Sequence, residues 1–457
     1  RPPDGFTTTT ETRGYHRVAR LLALIVAITA FTVPTFDTAA NAAPDHYNPR
    51  PGVTFNSPLG SEGTKRAIFH KIMRSINSSP RGSEIKIFTW NFLTRDGTDA
   101  LLRAQRRGVE VRLIMASSNN RVFVNRPFRR LRHGLRVGNR HRHRTSWART
   151  CRGSCRGSGG VAHSKFFLFS HVGHVRRVVI QGSANFTLAS TNNQWNDAVT
   201  ETRNIHVWRF ASHIFRQASH DKPLRHPFAS RSFRRYRLMM FPEGQARDPV
   251  RHLLNRVRCH GATNTPSHRT RILITPDVIR RGRGMALARK VRRLWNRGCT
   301  IRIGYTVVGI DIAHLLRNPA GRGPVPMKHL VQDFNGDGEF DNYFHLKAMT
   351  IVGNVGGNRS GYVVLNGSAN WSGLAGASDE NLGIYWKKHL TLRYQQHLDY
   401  WLTHFPASKT VQTTSGRAVV NSEPGQLLFG TGKHAVYEDG TPYSTTGVNP
   451  YAHVSMD

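Results

Sequence analysis

Acidic residues are scarce in this chain: 27 Asp and Glu stand against 66 Lys and Arg, a formal charge of +39. So few carboxylates leave the chain strongly basic. The surface should therefore attract polyanions, whether nucleic acid, anionic lipid headgroups or acidic cell-wall polymers. An arginine-rich solvated surface has the same composition, so charge alone does not choose the substrate. Cysteine is scarce too. Cys151, Cys155, Cys259 and Cys299 allow three disulfide pairings, of which Cys151–Cys155 with Cys259–Cys299 is the simplest. Zinc is the competing use, and export together with the spacing of the pairs speaks against it. Apolar runs of spanning length are missing. The run from Leu21 to Val33 follows Arg13, Arg17 and Arg20 and precedes the small residues Ala39 to Ala43. That order predicts a secretory signal peptide cut after Ala42, with a retained anchor as its rival. The expected product is secreted and extracellular.

At 457 residues the chain has room for two domains or one large duplicated one. A linker is expected over 43–58, and then a helix over 63–77, where Ile68, Ile72 and Ile76 recur every fourth residue. The pattern continues as strand 84–92, helix 96–107 and strand 109–116. A second series repeats it: helix 249–258, strand 271–275, helix 285–297 and strand 299–308. This alternation predicts βαβ units and a parallel or mixed sheet covered by helices. The halves are placed at 59–225 and 226–407, with a polar, loosely packed tail over 408–457. Within the first half, after the strand ending near Ala116, the basic segment 121–156 reads as a long loop, a candidate lid or anion-collecting rim. Its His141 and His143 alternate with Arg140, Arg142 and Arg144, whose charges would repel a metal cation.

What is present is a repeated phrase. His163-Ser-Lys165 is followed by Gly182-Ser183-Ala184-Asn185, and His345-Leu-Lys347 by Gly367-Ser368-Ala369-Asn370. The surroundings, VAHSKFFLFS with VVIQGSANFT and YFHLKAMTIV with VVLNGSANWS, read as paired β-branched strands. Lys supplies fixed positive charge, while Ser and Asn supply neutral donors to phosphate oxygens. Two His residues provide one nucleophile and one proton donor on opposite sides of a phosphorus atom. The duplication predicts two half-sites that meet to form one site.

These phrases, in this order over about residues 52–406, resemble the phospholipase D superfamily. The resemblance implies an α/β fold of two similar halves, each a mixed β-sheet flanked by helices, packed with pseudo-twofold symmetry. It implies that one His forms a phosphohistidine while the other protonates the leaving alcohol and then activates water or a second alcohol, without a catalytic metal. By position, His163 is the expected nucleophile and His345 the general acid/base. Lys165, Lys347, Ser183, Asn185, Ser368 and Asn370 are expected to hold phosphate. A carboxylate that orients a catalytic His is implied after each Gly-Ser-x-Asn: Glu380 in the second half, and Asn196 or Asp197 in the first.

The chain departs from the family's pattern where an Asp should follow each Lys by five residues; Ser170 and Val352 stand there. The longer gaps between Lys and Gly imply longer hairpins. Asp333, Asn335, Asp337 and Asp341 alternate around glycines just before His345. They read either as a polar turn or as the start of a structural calcium loop, which lacks Glu at its twelfth position, Phe344.

The favoured activity is a secreted phospholipase D that hydrolyses glycerophospholipids, with transfer to other alcohols as a variant, acting as a monomer in peripheral contact with a membrane or micelle surface. The alternatives are a secreted nuclease of the same superfamily, favoured by the basic charge, and an inactive polyanion-binding protein. Trp195 and Trp371, beside the motifs, are expected in the core.

Overall fold

β-branched and aromatic runs build two mixed sheets, and the strand order of the first recurs in the second. The computed structural model describes residues 46–140, 145–242, 248–333, 335–406, 410–413, 416–419 and 427–454. The expected signal peptide, His141 and His143 lie outside the described residues. The first sheet runs Gly52–Phe55, Asp197–Glu201, Val175–Gly182, Phe166–Val172, Glu84–Phe88, Glu110–Ala116 and Trp147–Cys151. The second runs Ala229–Phe233, Tyr236–Met240, Asn381–Tyr385, Asn358–Gly367, Ala348–Val355, Arg271–Thr275, Thr300–Tyr305 and Met327–His329. In each, the strand after His-x-Lys forms an antiparallel hairpin with the strand that ends at the Gly of Gly-Ser-Ala-Asn. On its other side it meets the first strand of a parallel βαβ unit. The change from one sheet to the other falls between helix Ile205–Ala218 and strand Ala229–Phe233.

The helices follow their apolar spacing. Ala67–Asn77 buries Ile68, Ile72 and Ile76 on one stripe. Helix Arg95–Arg106 starts where the Thr94 side chain accepts the N–H of Gly97. Helix Arg281–Asn296 buries Leu287, Val291 and Leu294. One core cluster draws on both sheets, joining Phe88, Phe166, Trp195 and Val199 to Leu273, Phe344, Leu346 and Tyr385. Each such side chain contributes about 1.5–3 kcal/mol by leaving water. Trp195 and Trp371 are both core residues. Among the described residues no helix is long and apolar enough to cross a membrane.

Three expectations are corrected. The basic segment 121–156 is not one loop. Asn125 caps helix Arg126–Gly138, whose Phe128, Leu131 and Leu135 point into the core, and Trp147–Cys151 is the edge strand of the first sheet. Three apolar residues at helical spacing outweigh the arginines, which project to solvent. The expected linker over 43–58 contains the strand Gly52–Phe55, paired with Asp197–Glu201. The polar tail is packed over 427–454: Leu428, Ala435 and Tyr451 are buried with Val278, Val307 and Phe340. Its widely spaced aromatics fill the gap beside the loop before His345.

Both disulfides join the local pairs, Cys151–Cys155 and Cys259–Cys299. Their sequence separations of 4 and 40 residues predict unequal contributions, since a longer closed loop removes more unfolded-state entropy. Changing Cys259 and Cys299 to Ser is expected to cost about 4 kcal/mol, and changing Cys151 and Cys155 to Ser about 2 kcal/mol. Urea unfolding midpoints of the two double variants check this; equal losses would refute the loop-length account.

Candidate active site

Each His-x-Lys lies just before a central strand, where the chain from the other half crosses it. The N–H of His163 donates to the carbonyl of Asp379 at 3.0 Å, and that of His345 donates to the carbonyl of Trp195 at 3.0 Å. The residue after each of these carbonyls then reaches the imidazole. Glu380 Oε1 and Oε2 lie 2.8 and 3.0 Å from His163 Nδ1, and Asn196 Oδ1 lies 2.7 Å from His345 Nδ1. Each half therefore orients the histidine of the other. Of the two first-half candidates, Asn196 meets the ring. Asp197 instead accepts Asn366 Nδ2 at 2.8 Å and the hydroxyl of Tyr394, tying the halves together.

The glycines of the motifs permit this crossing. A Cβ on Gly182 would collide with the carbonyl of Asp197, and one on Gly367 with that of Asn381. The serines serve it as well. Ser183 Oγ donates to Asn196 Oδ1 at 3.0 Å and accepts the N–H of Asp197, while Ser368 Oγ donates to Glu380 and accepts the N–H of Asn381. These bonds fix the residues that fix the histidines.

The lysines are deep. Lys165 and Lys347 are 0 % and 2 % exposed, and the two His residues 1 % each. Each lysine Nζ donates to the carbonyl of its own motif histidine, at 2.7 and 2.9 Å. Lys347 also pairs with Asp277 at 2.8 Å, a buried carboxylate held in a left-handed backbone conformation (φ 61°). Burial, and then the charges of Lys347, Lys165 and His163, hold the His345 imidazole well below its usual pKa. Groups of both halves thus share one electrostatic site. Asn185 Oδ1 accepts weakly from Thr89 Oγ1 and the N–H of Asn91, both at 3.4 Å, which turns its amide nitrogen the other way as a donor. The carbonyl of Asn370 accepts from Arg283, which Asp248 holds at 2.7 Å. Rings close over both histidines: Trp90 over His163 and Tyr343 over His345, edge-on at 5.8 and 5.7 Å.

Sequence reasoning missed Asp277, Arg283 and Asp248, which lie far from the motifs in the chain. It also missed Asn381, whose side chain accepts the Lys165 N–H at 2.6 Å and donates to Gln181 at 2.8 Å. Its signal was available, because Asn381 follows Glu380 as Asp197 follows Asn196. Among the described residues no three His, Cys, Asp or Glu side chains are grouped to hold a metal ion. In the loop before His345, Asp333 accepts the N–H groups of Gly336 and Gly338, Asn335 that of Asp337, and Asp337 that of Glu339. These bonds hold a polar turn by its own side chains.

Residues 72–217 match the family described as "Cardiolipin synthase, PLD-like domain". That range includes His163, Lys165, Asn185 and Asn196. A comparison with curated protein sequences finds no match. Among solved structures, the polyphosphate kinase of Porphyromonas gingivalis is similar at a TM-score of 0.51 and 14% identity, over 77% of this chain and 50% of that one. This chain therefore spans half the length of that kinase. The phosphatidylserine synthase of Haemophilus influenzae Rd KW20 is similar at 0.51 and 12% identity, over 82% of this chain and 90% of that one. A phospholipase D family member, Nuc from Salmonella typhimurium, is 20% identical over 38% of this chain and 96% of its own, at a TM-score of 0.29. At these identities the two longer likenesses speak for fold. Residues 72–217 are thus similar to a PLD-like domain of the cardiolipin synthase type, within a mixed α/β fold similar to that of the phosphatidylserine synthase.

Proposed function

We propose that this chain is an exported phosphodiesterase of phospholipase D type, acting on glycerophospholipids through a phosphohistidine intermediate. The observation that carries the proposal is the crossed support of His163 and His345, each held at Nδ1 by the other half. Engagement at Nδ1 fixes each ring's orientation, and Nε2 is the atom that does the chemistry. One Nε2 attacks phosphorus and the bond to the leaving alcohol breaks. The other ring, protonated, gives its proton to that oxygen. It then takes a proton from water or a second alcohol, whose oxygen attacks phosphorus as the P–N bond breaks. Lys165, Lys347 and the amide of Asn185 stabilise the charge on the non-bridging oxygens. No step needs a metal.

Lipid is favoured because the matched family is named for cardiolipin synthase and the structure similar over most of both chains is a phosphatidylserine synthase. Both are named as synthases, so transfer to an alcohol is expected beside hydrolysis. Two disulfides fit an oxidising compartment. We place the chain at the membrane surface by peripheral contact, as a monomer. Nucleic acid is the second substrate considered, because Arg129, Arg132, Arg136 and Arg149 line a groove between helix Arg126–Gly138 and strand Trp147–Cys151 that no carboxylate lines.

The test supplies purified protein with phosphatidylcholine or phosphatidylglycerol vesicles, with and without glycerol, and separately with plasmid DNA, all in EDTA. Release of headgroup and formation of the glycerol-exchanged lipid, both lost in His163→Ala, are expected. DNA cleavage with lipid untouched would move the assignment to a nuclease. Inertness on both substrates would leave a polyanion-binding protein.

A further inference from the structure

Large apolar side chains left in water gather at one place beside the site. Val122 and Val124 are 83 % and 61 % exposed, and Phe123 between them is exposed as well. Leu93 and Leu188 are exposed beside them. The backbone makes these residues neighbours. Strand Phe92–Leu93 pairs in parallel with Phe186–Thr187, which Leu188 follows. The carbonyl of Phe92 accepts Asn125 Nδ2 at 2.8 Å, and Val124 precedes Asn125. Single exposed apolar residues are ordinary, whereas a contiguous group marks a surface that meets something apolar. Resting on the lipid substrate proposed above, we infer that the tip Val122–Val124, with Leu93 and Leu188, enters a phospholipid bilayer and seats the mouth of the site on it.

Buried polar groups hold the tip in place. Asn125 is buried; its Oδ1 accepts the N–H of Phe128 at 3.0 Å, and its Nδ2 also donates to the carbonyl of Asn119 at 3.0 Å. Asn119 in turn donates to the carbonyl of Trp90 at 2.8 Å. Trp90 is the ring edge-on to His163, and the N–H of the next residue, Asn91, points at Asn185. The loop is therefore tied on both sides of its apolar tip to the segment that walls the site. A backbone fixed in this way presents the tip with little further ordering on binding. The charges match the same partner. Arg121 and Arg126 flank the tip, Arg129 follows one helical turn on, and Arg95 stands two residues after Leu93; all are exposed, against the exposed carboxylate of Asp96. Arginines around an apolar tip suit a bilayer with an anionic surface and a hydrocarbon interior. A nucleic acid would engage the arginines and leave the Val-Phe-Val side chains in water.

The test places a nitrobenzoxadiazole dye on Phe123→Cys, the native cysteines of the described residues being paired in disulfides. On vesicles of phosphatidylcholine and phosphatidylglycerol its emission is expected to shift to the blue, and lipids spin-labelled on the acyl chain are expected to quench it. The same dye on Val137→Cys, exposed about 17 Å along helix Arg126–Gly138 from its start, is expected to stay in water. Replacing Val122, Phe123 and Val124 together by Ser is expected to weaken vesicle binding at least about tenfold in sedimentation, with plasmid DNA binding unchanged. A Phe123 dye unmoved by vesicles, or one that moves no more than the Val137 dye, would overturn the inference. If that protein still hydrolyses vesicle lipid, the proposed chemistry stands without this docking surface. Insertion by a protein inert on every lipid would keep the surface and remove the catalytic reading. A dye that answers DNA and not vesicles would assign the tip to nucleic acid. A dimer in gel filtration that the triple variant abolishes would assign it to a second copy of the chain; either outcome refutes bilayer docking.

Discussion

Steady-state turnover of a phosphodiester with an alkyl leaving group falls at least about 10⁴-fold in His163→Ala and in His345→Ala, and the double variant falls no further. The two rings act in one cycle: without the nucleophile no intermediate forms, and without the proton carrier the alkoxide does not leave and water is not activated. Effects of groups that work as a unit do not add. Each substitution also leaves a polar partner buried without its ring, Glu380 or Asn196. Glu380 keeps its bond from Ser368, and Asn196 keeps those with Ser183, Ser190 and Gln194. The fold should therefore survive, and circular dichroism with a thermal melt within a few degrees of wild type would show it. Additive losses in the double variant, of about 10⁸-fold, would mean that the histidines serve separate sites.

The half-sites were legible in the chain because a strand that must be buried and a motif that must be polar sit side by side, twice. The helix stripes were legible for a similar reason: Ile68, Ile72 and Ile76 carry little besides their spacing. The crossing of Glu380 and Asn196 was not. Glu380 lies 217 residues from His163 and Asn196 lies 149 from His345, and no local spacing states which ring a carboxylate will reach. The partners of the serine hydroxyls were not legible either, because Ser is as good a donor to a buried amide or carboxylate as to phosphate, and only the crossing strand brings Asn196 and Glu380 to them. Helix Arg126–Gly138 was hidden by composition, since its three buried residues are outnumbered by exposed arginines. Lys347 and Asp277 escaped for the same reason as the crossing: they are 70 residues apart and meet only in the fold.

Asp379 links this crossing to pH. Its carbonyl accepts the His163 N–H, and its carboxylate accepts the Ser154 hydroxyl at 2.8 Å and the N–H of Cys155, pinning the disulfide loop beside the site. Burial pushes this carboxyl up to about 7, against the lowering effect of the Ser154 bond, the Arg156 charge and the Cys155 N–H, while Glu380 adds to the rise. The folded state therefore holds the proton more tightly than the unfolded chain, where an Asp titrates near 3.9. Between about pH 4 and 7 the native state has more protons bound, so stability falls as pH rises. The contribution is whole below pH 4 and is lost by the time pH passes 7. Three pH units of such a gap are worth on the order of 4 kcal/mol. Asp379→Asn keeps an acceptor for Cys155 and Ser154 but cannot ionise, so its stability should lack this decline. Urea unfolding at pH 4.5 and pH 7.5 is expected to show the variant losing less than wild type over that interval, by up to this amount. Other buried carboxyls raised in the same direction, Asp197 and Asp277, titrate in both proteins and cancel in the difference. Parallel pH curves for the two proteins would mean that Arg156 holds Asp379 ionised throughout, with the loop pinned by an ion pair instead of a neutral acid.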